Sequence, residues 1–429
     1  DLRIQRDGAL RRAYRAHTLL FCMAAVLLCW LPHLAVSYPA SMNSDTQSQL
    51  DQILGLLPWS KHHPTLLAFF LLGATRLGHV LGSGNAGLFA YVLAQAVFAA
   101  AVIGYSQWIM RRLCAPVWLR ALSLALCAFA PVYCDNITVI LKDIPYSYAM
   151  LLMLCEMVRQ RFLEKESDGF SAGFVLRMTL SAFLMLRMRP NGAMVWIPIC
   201  AALFLGTRGR KRRAAIAAVA ALPLLLGAGF DAAFDARFHP QAASLGEALS
   251  LPFQQTARCL LAYPDDVTES EMRAVSAVLD VENGVPNYDP RLADPVKDTS
   301  SPDLSGRLGP YMKAWLSMGM RHPGVYLDAW LNMIYGYFYP SDSNTIVCLT
   351  LNSPDAGGVA LRQNPALSDA RLELHNRIYF TLRRIPGVGW LFYVDSVVWV
   401  FLLLLAALVL RDGLRAAVPY MFFFGTLGI

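Results

Sequence analysis

Apolar stretches of about 20 residues, long enough to cross roughly 30 Å of hydrocarbon as a helix, recur along most of the chain between short basic clusters. They are continuously apolar and do not alternate with period two, which predicts helices and argues against a barrel. Helices also satisfy every backbone donor and acceptor within their own segment, as lipid demands. The pattern predicts crossings over residues 17–36, 86–109, 117–134, 144–158, 172–188, 193–205, 214–230, 388–410 and 416–429. No internal repeat is evident. The last apolar segment stops abruptly, which predicts further C-terminal helices.

Basic clusters orient these crossings. The residues before Leu19 carry Arg3, Arg6, Arg11, Arg12 and Arg15 and no convincing small-residue cleavage site follows, so the first crossing is read as uncleaved, with a cytoplasmic N-terminus. Arg111 and Arg112, then Arg159, Arg161 and Lys165, then the run RGRKRR at residues 208–213, then Arg411 and Arg415 fall on the same side. Two apolar segments, 64–81 and 86–109, lie between the first exterior loop and Arg111, and only one can cross. The first is short, holds Arg76 and His79 and ends in the helix-breaking GSGNAG, so it is expected to lie at the exterior interface or to re-enter.

The expected organisation is an N-terminal membrane module over 1–230 with an exterior juxtamembrane loop at 37–85, an exterior domain over 231–387, and C-terminal crossings over 388–429. The middle region is rich in Pro, Asp and Asn and lacks a long apolar run, as expected of a folded, mixed soluble domain. Its segment 325–339, VYLDAWLNMIYGYFY, is amphipathic and aromatic and suits an interfacial helix, with a crossing as the alternative.

Composition agrees with the pattern. At 56% hydrophobic and 16% charged, the chain carries more apolar surface than a soluble globule of 429 residues can hide. The net charge of +7 does not point to nucleic acid, because the basic residues cluster beside apolar runs where they contact membrane lipid. Nine cysteines give no CxxC pair, which excludes a disulfide framework or zinc site; Cys259 and Cys348 could pair in the exterior domain.

Under this topology the polar residues that interrupt apolar sequence gather at the exterior mouth: Asp45, Asp51, His62, His63, Lys142, Asp143, Arg187, Arg189 and Asn191. Each has a plainer reading. Charged groups at the ends of crossings anchor in head groups, and Ser44, Asp45 or Asp143 could cap helices. Two carboxylates from separate loops can nonetheless share a divalent cation, Mg or Mn, or one of them can act as base toward a hydroxyl. The His62-His63-Pro64 string lacks the spacing of a zinc peptidase, and Arg187 and Arg189 before a Pro-Asn-Gly turn are placed at phosphate depth.

These features resemble the C-type glycosyltransferase superfold, which includes protein mannosyltransferases and aminoarabinose transferases. The likeness spans residues 15–230: an acidic residue in the first exterior loop (Asp45), a His-Pro start to a juxtamembrane helix (His63, Pro64), a crossing ending in Arg111-Arg112, and a second exterior acidic residue (Asp143). The first loop carries a single acidic residue in SDT where the superfold has a doublet. The strings LPFQQTAR (251–258), DPVK (294–297), HPGVY (322–326) and GYFYP (336–340) resemble an uncharacterised bacterial membrane-protein family.

The resemblance implies an all-α polytopic membrane protein of the plasma membrane. It implies a transferase that moves a sugar, with inversion, from a polyprenyl-phosphate donor to a cell-envelope glycan or lipid acceptor. Asp45 would be the base, and Asp143 would help hold a metal or the sugar. His62, His63, Lys142, Arg187, Arg189 and Asn191 would face the donor, and Gln254, Gln255 and Arg258 would shape acceptor choice. A multi-spanning transporter and a non-catalytic envelope-assembly protein are the competing readings.

Overall fold

A computed structural model describes residues 9–164, 170–242, 245–301, 303–304, 306–339, 380–389 and 394–414, with isolated positions at 373, 377, 417 and 421. The described chain is almost wholly helical. A short basic helix α1 (Ala9–Ala16) leads into α2 (Thr18–Val36), and the chain pairs briefly as β1 (Ser41–Met42) before α3 (Ser44–Ile53). The helices α4 (Thr65–Val80), α5 (Gly84–Arg112), α6 (Val117–Phe129) and α7 (Pro131–Cys134) follow, then β2 (Val139–Ile140). The bundle continues through α8 (Asp143–Phe162), α9 (Ala172–Met188), α10 (Gly192–Gly206) and α11 (Arg210–Phe238).

Three described helices, α2, α5 and α11, are long and apolar enough to cross a membrane, and a fourth crossing results if α6 and residues 132–138, bent by 53°, count as one. The bend falls where Pro131 lacks the N–H that would continue the ladder. Their outward faces expose Leu20, Leu28 and Leu31 on α2 and Leu222, Leu224, Leu225 and Leu226 on α11. Water would not leave so many leucines uncovered on a stable surface, whereas hydrocarbon covers them at no cost.

Close helix contacts are set by glycines. A Cβ on Gly104 of α5 would lie 2.5 Å from the Leu19 carbonyl of α2, and one on Gly87 would lie 2.2 Å from the Ala74 carbonyl of α4. The second contact makes α4 and α5 an antiparallel hairpin, turned at Gly82 with φ of +67°. The 64–81 segment therefore folds back along the outer part of α5. Its Arg76 and His79 are exposed near the hairpin tip.

α8 and α9 are fastened at both ends. Toward one end the buried Glu156 accepts from Arg177 Nε (2.6 Å), Arg177 Nη2 (3.1 Å) and the Tyr105 hydroxyl (2.6 Å), joining α5, α8 and α9. Arg189 and Asp143 pair at the other end, about 20 Å away along the helix. The intervening core packs Ala149, Met153, Met178, Ala182 and Met185, with the buried hydroxyls of Thr179 and Ser181 on the same stretch of α9.

A second hydrophobic core is built by α12 (Ser250–Ala262), α13 (Glu269–Ser276), α14 (Asp294–Lys297), α15 (Leu308–Arg321) and α16 (Pro323–Ile334) around Phe253, Val275, Tyr311 and Met318. Among the described residues of 245–339 the only β features are the isolated bridges Leu279–Ser300 and Asp289–Leu292, so a mixed architecture is not shown there. α16 is 12 residues long, shorter than the about 20 needed to cross alone. The turn after it meets α17 (Val394–Asp412), where Trp399 Nε1 donates to the Phe338 carbonyl at 2.8 Å. Cys348 and most of the expected 416–429 crossing lie outside the described residues.

Candidate functional site

The site begins with a two-residue parallel ladder. Ser41 aligns with Val139 and Met42 with Ile140, so Asp45 and Asp143 each stand four residues beyond one partner of the first pair. That register brings the loop after α2 against the segment before α8. Thr46 Oγ1 locks the join by donating to the Ile140 carbonyl at 2.5 Å. Beneath it, the buried Gln95 of α5 donates to the carbonyls of Ile137 (3.0 Å) and Val139 (2.9 Å).

Neither carboxylate is spent on capping. Asn43 caps α3, its side chain accepting from the Thr46 N–H at 3.0 Å, which leaves Asp45 in the first turn with its side chain free of the backbone. Lys142 occupies the cap position of α8, and Asp143 is the first helical residue. Gln49 of α3 donates to the Pro64 carbonyl at 2.9 Å and holds the His63-Pro64 start of α4 beside Asp45.

The result is a chain of ion pairs. Lys142 Nζ lies 2.8 Å from Asp45 Oδ2, His63 Nδ1 lies 3.8 Å from the same oxygen, and Arg189 pairs with Asp143. His62 packs edge-on against His63, ring centroids 4.6 Å apart. Burial pushes the Asp45 carboxyl up, but the hydrogen bond and charge of Lys142, with the two histidines, outweigh it and hold the group below its ordinary value. Asp45 is therefore a carboxylate at neutral pH.

Arg187 lies apart from this chain. It pairs with Asp231 of α11 and crosses Gly227, where a Cβ would sit 3.1 Å from the guanidinium carbon. Asn191 is exposed at the cap position of α10 and makes no side-chain cap bond. Sequence reasoning did not find the remaining mouth pairs, Lys61–Asp235 (2.6 Å) and His33–Asp135 (3.1 Å). Asp135 and Asp235 read as ordinary ends of apolar helices, and only tertiary contact reveals their partners.

Gln254, Gln255 and Arg258 are placed elsewhere. Gln254 is fully buried in the second core, donating to the carbonyls of Asp289 (3.2 Å) and Leu292 (2.6 Å). Gln255 is also buried, bound to the Tyr326 carbonyl (3.1 Å) and to Trp315 (3.1 Å). Arg258 pairs with Asp328 at 2.9 Å and also donates to the Tyr288 hydroxyl. These groups help hold the second core together: Gln255 has both ends of its amide engaged, and Gln254 donates twice through Nε2.

The donor set does not suit a divalent metal held by protein alone. Asp45 and Asp143 are each neutralised by a cation, and among the described residues no group of three or more His, Cys, Asp or Glu is arranged to hold an ion. Beside the polar cluster lies an apolar cavity of about 420 Å³, lined by Phe70, Leu77, Ala94, Phe98, Pro145 and Leu184 among others. Pro145 follows Asp143 by two residues, so one wall of the cavity adjoins the start of α8 that carries Lys142 and Asp143.

A helical bundle with an apolar cavity beside paired charges defines a class of architecture more than an activity. The chain belongs to the family described as "Family of unknown function (DUF6020)", whose model matches residues 56–426. No curated protein and no solved structure matches the chain.

Proposed function

We propose that the chain is a multi-pass membrane glycosyltransferase of the plasma membrane, with a cytoplasmic N-terminus, that transfers a sugar from a polyprenyl-phosphate donor to an extracytoplasmic envelope acceptor. The observation that carries the reading is the meeting of Asp45, His63, Lys142, Asp143 and Arg189 beside an apolar cavity. The cavity suits the hydrocarbon adjoining the phosphate, and the cations suit the phosphate itself. Sidedness is supported by the opposite end of the bundle, where Arg15, Arg111, Arg112, Arg159, Arg161 and the 208–213 run collect as the positive-inside rule expects.

In this reading Asp45 takes the proton of the acceptor hydroxyl as its oxygen attacks the anomeric carbon. The bond from that carbon to the phosphate oxygen breaks, and polyprenyl phosphate leaves with the electron pair. Lys142 and Arg189 balance the charge that grows on the phosphate, with His63 beside them as a hydrogen-bond donor, in a site partly shielded from water. Inversion follows from the single displacement. No step is routed through a metal. In this reading the 245–339 helices would cover the acceptor side.

Purified protein in lipid nanodiscs, given a labelled polyprenyl-phosphate sugar and envelope glycans, tests the reading. Transfer falling about 10²–10⁴-fold in Asp45→Asn is expected. Undiminished transfer in that variant removes Asp45 as base, and counterflow of a solute in liposomes with no transfer replaces the enzyme by a transporter.

A further inference from the structure

The cations that would receive a phosphate are already engaged. Lys142 sits 2.8 Å from Asp45 Oδ2, His63 shares that oxygen at 3.8 Å, and Arg189 is paired with Asp143. The carboxylates are part-exposed, 37% for Asp45 and 30% for Asp143, so the pairs are reachable from the mouth. Lys142 and Asp143 are neighbours in sequence at the start of α8, which couples the two pairs through a single peptide bond. An incoming phosphate must therefore compete with two carboxylates for the same donors. A carboxylate that keeps Lys142 as its partner has Oδ2 covered and is the weaker base, because the ammonium stabilises its charged form.

We propose that phosphoryl binding at this site works by ion-pair exchange: the phosphate of the lipid takes Lys142 and Arg189 from Asp45 and Asp143, and that exchange uncovers Asp45 for the acceptor hydroxyl. The proposal rests on the reading of the cluster as a phosphoryl site and deepens it. It fixes an order of events, since the base becomes available only once the donor is seated. It also assigns Asp45 opposite signs in two measurements. The group is needed for transfer yet opposes phosphate binding.

The test measures binding, not transfer. Farnesyl phosphate, a short phosphate monoester with an isoprenoid chain, is titrated onto the full chain in nanodiscs, with farnesol and inorganic phosphate as controls for chain and head alone. Exchange predicts that Asp45→Asn binds farnesyl phosphate about two- to fivefold more tightly than wild type, the range for releasing a part-exposed ion pair. Asp143→Asn shifts affinity in the same direction by freeing Arg189, and Lys142→Met weakens binding. Thermal unfolding of each variant checks that the fold is kept, and the two Asn variants report independently if one is lost. Unchanged or weaker binding in both Asn variants, with Lys142→Met still weaker, overturns exchange and leaves the phosphoryl site standing. Farnesyl phosphate failing to bind wild type above farnesol overturns both.

Discussion

Glu156 is the sharpest test of the packing. Its side chain is 1% exposed and receives two bonds from Arg177 and one from Tyr105, with Arg159 at 3.6 Å completing the charge balance. Glu156→Gln keeps the shape but removes the charge, leaving Arg177 and Arg159 facing a neutral amide. Breaking a buried pair from one side costs about 3–5 kcal/mol, and the share retained by an amide still able to accept reduces this to about 2–4 kcal/mol. The unfolding midpoint in lipid-supplemented detergent is expected to fall by about 2–4 °C for each kcal/mol. Tyr105→Phe, losing the bond to Glu156 and the longer one from Arg159 (3.3 Å), costs about 1–2 kcal/mol. Glu156→Gln combined with Arg177→Gln should lose less than the sum of the singles, because the stranded guanidinium is gone as well. A midpoint unmoved by Glu156→Gln, or strict additivity in the double variant, would refute the ion-pair reading of this junction.

Other outcomes follow from the same contacts. Gly87→Ala places a Cβ 2.2 Å from the Ala74 carbonyl, so the α4–α5 hairpin must open; a loss of about 1–3 kcal/mol and faster protease cleavage near residue 82 are expected. Ala94→Trp fills the cavity without touching the charged chain and should weaken farnesyl phosphate binding while inorganic phosphate binding is kept. In the second core, the bonds from Arg321 hold the Glu271 carboxyl down at about 2, below its ordinary 4.5. A depressed carboxyl contributes stability that is present above pH 4.5 and lost as the pH falls toward 2. Acid unfolding of wild type should therefore show a loss over that interval that Glu271→Gln lacks.

Much of the helical order was legible because apolar length and helix type are local properties. The segments 17–36, 86–109 and 214–230 correspond to α2, α5 and α11, with ends displaced where basic residues extend the helix past its apolar run, as at Arg111 and Arg112. Asp45, His63, Lys142, Asp143 and Arg189 were named because each interrupts apolar sequence. Their pairing could not be read, since it depends on a two-residue ladder between segments 98 residues apart in register, Ser41 with Val139. The cap reading of Asp45 failed because Asn43, two residues earlier, accepts better from the Thr46 N–H. The surroundings of the glutamines at 254 and 255 were hidden for a different reason. A polar pair in an otherwise water-facing region looks exposed, and only the fold shows Gln255 held by the Tyr326 carbonyl and the Trp315 indole and Gln254 donating to the carbonyls of Asp289 and Leu292. The Gly87 and Gly104 contacts left no trace in the sequence, where a glycine inside an apolar run reads the same whether or not a neighbour presses on it.

The claim beneath all of this is that the loop after α2 and the segment before α8 meet at the outer face of the membrane. Ser41→Cys paired with Val139→Cys, with the native cysteines replaced by serine or alanine, measures it in intact cells under mild oxidation. The account predicts a rapid intramolecular cross-link that is prevented when a membrane-impermeant maleimide is added first from outside. No cross-link, or one blocked only after the membrane is permeabilised, would contradict it.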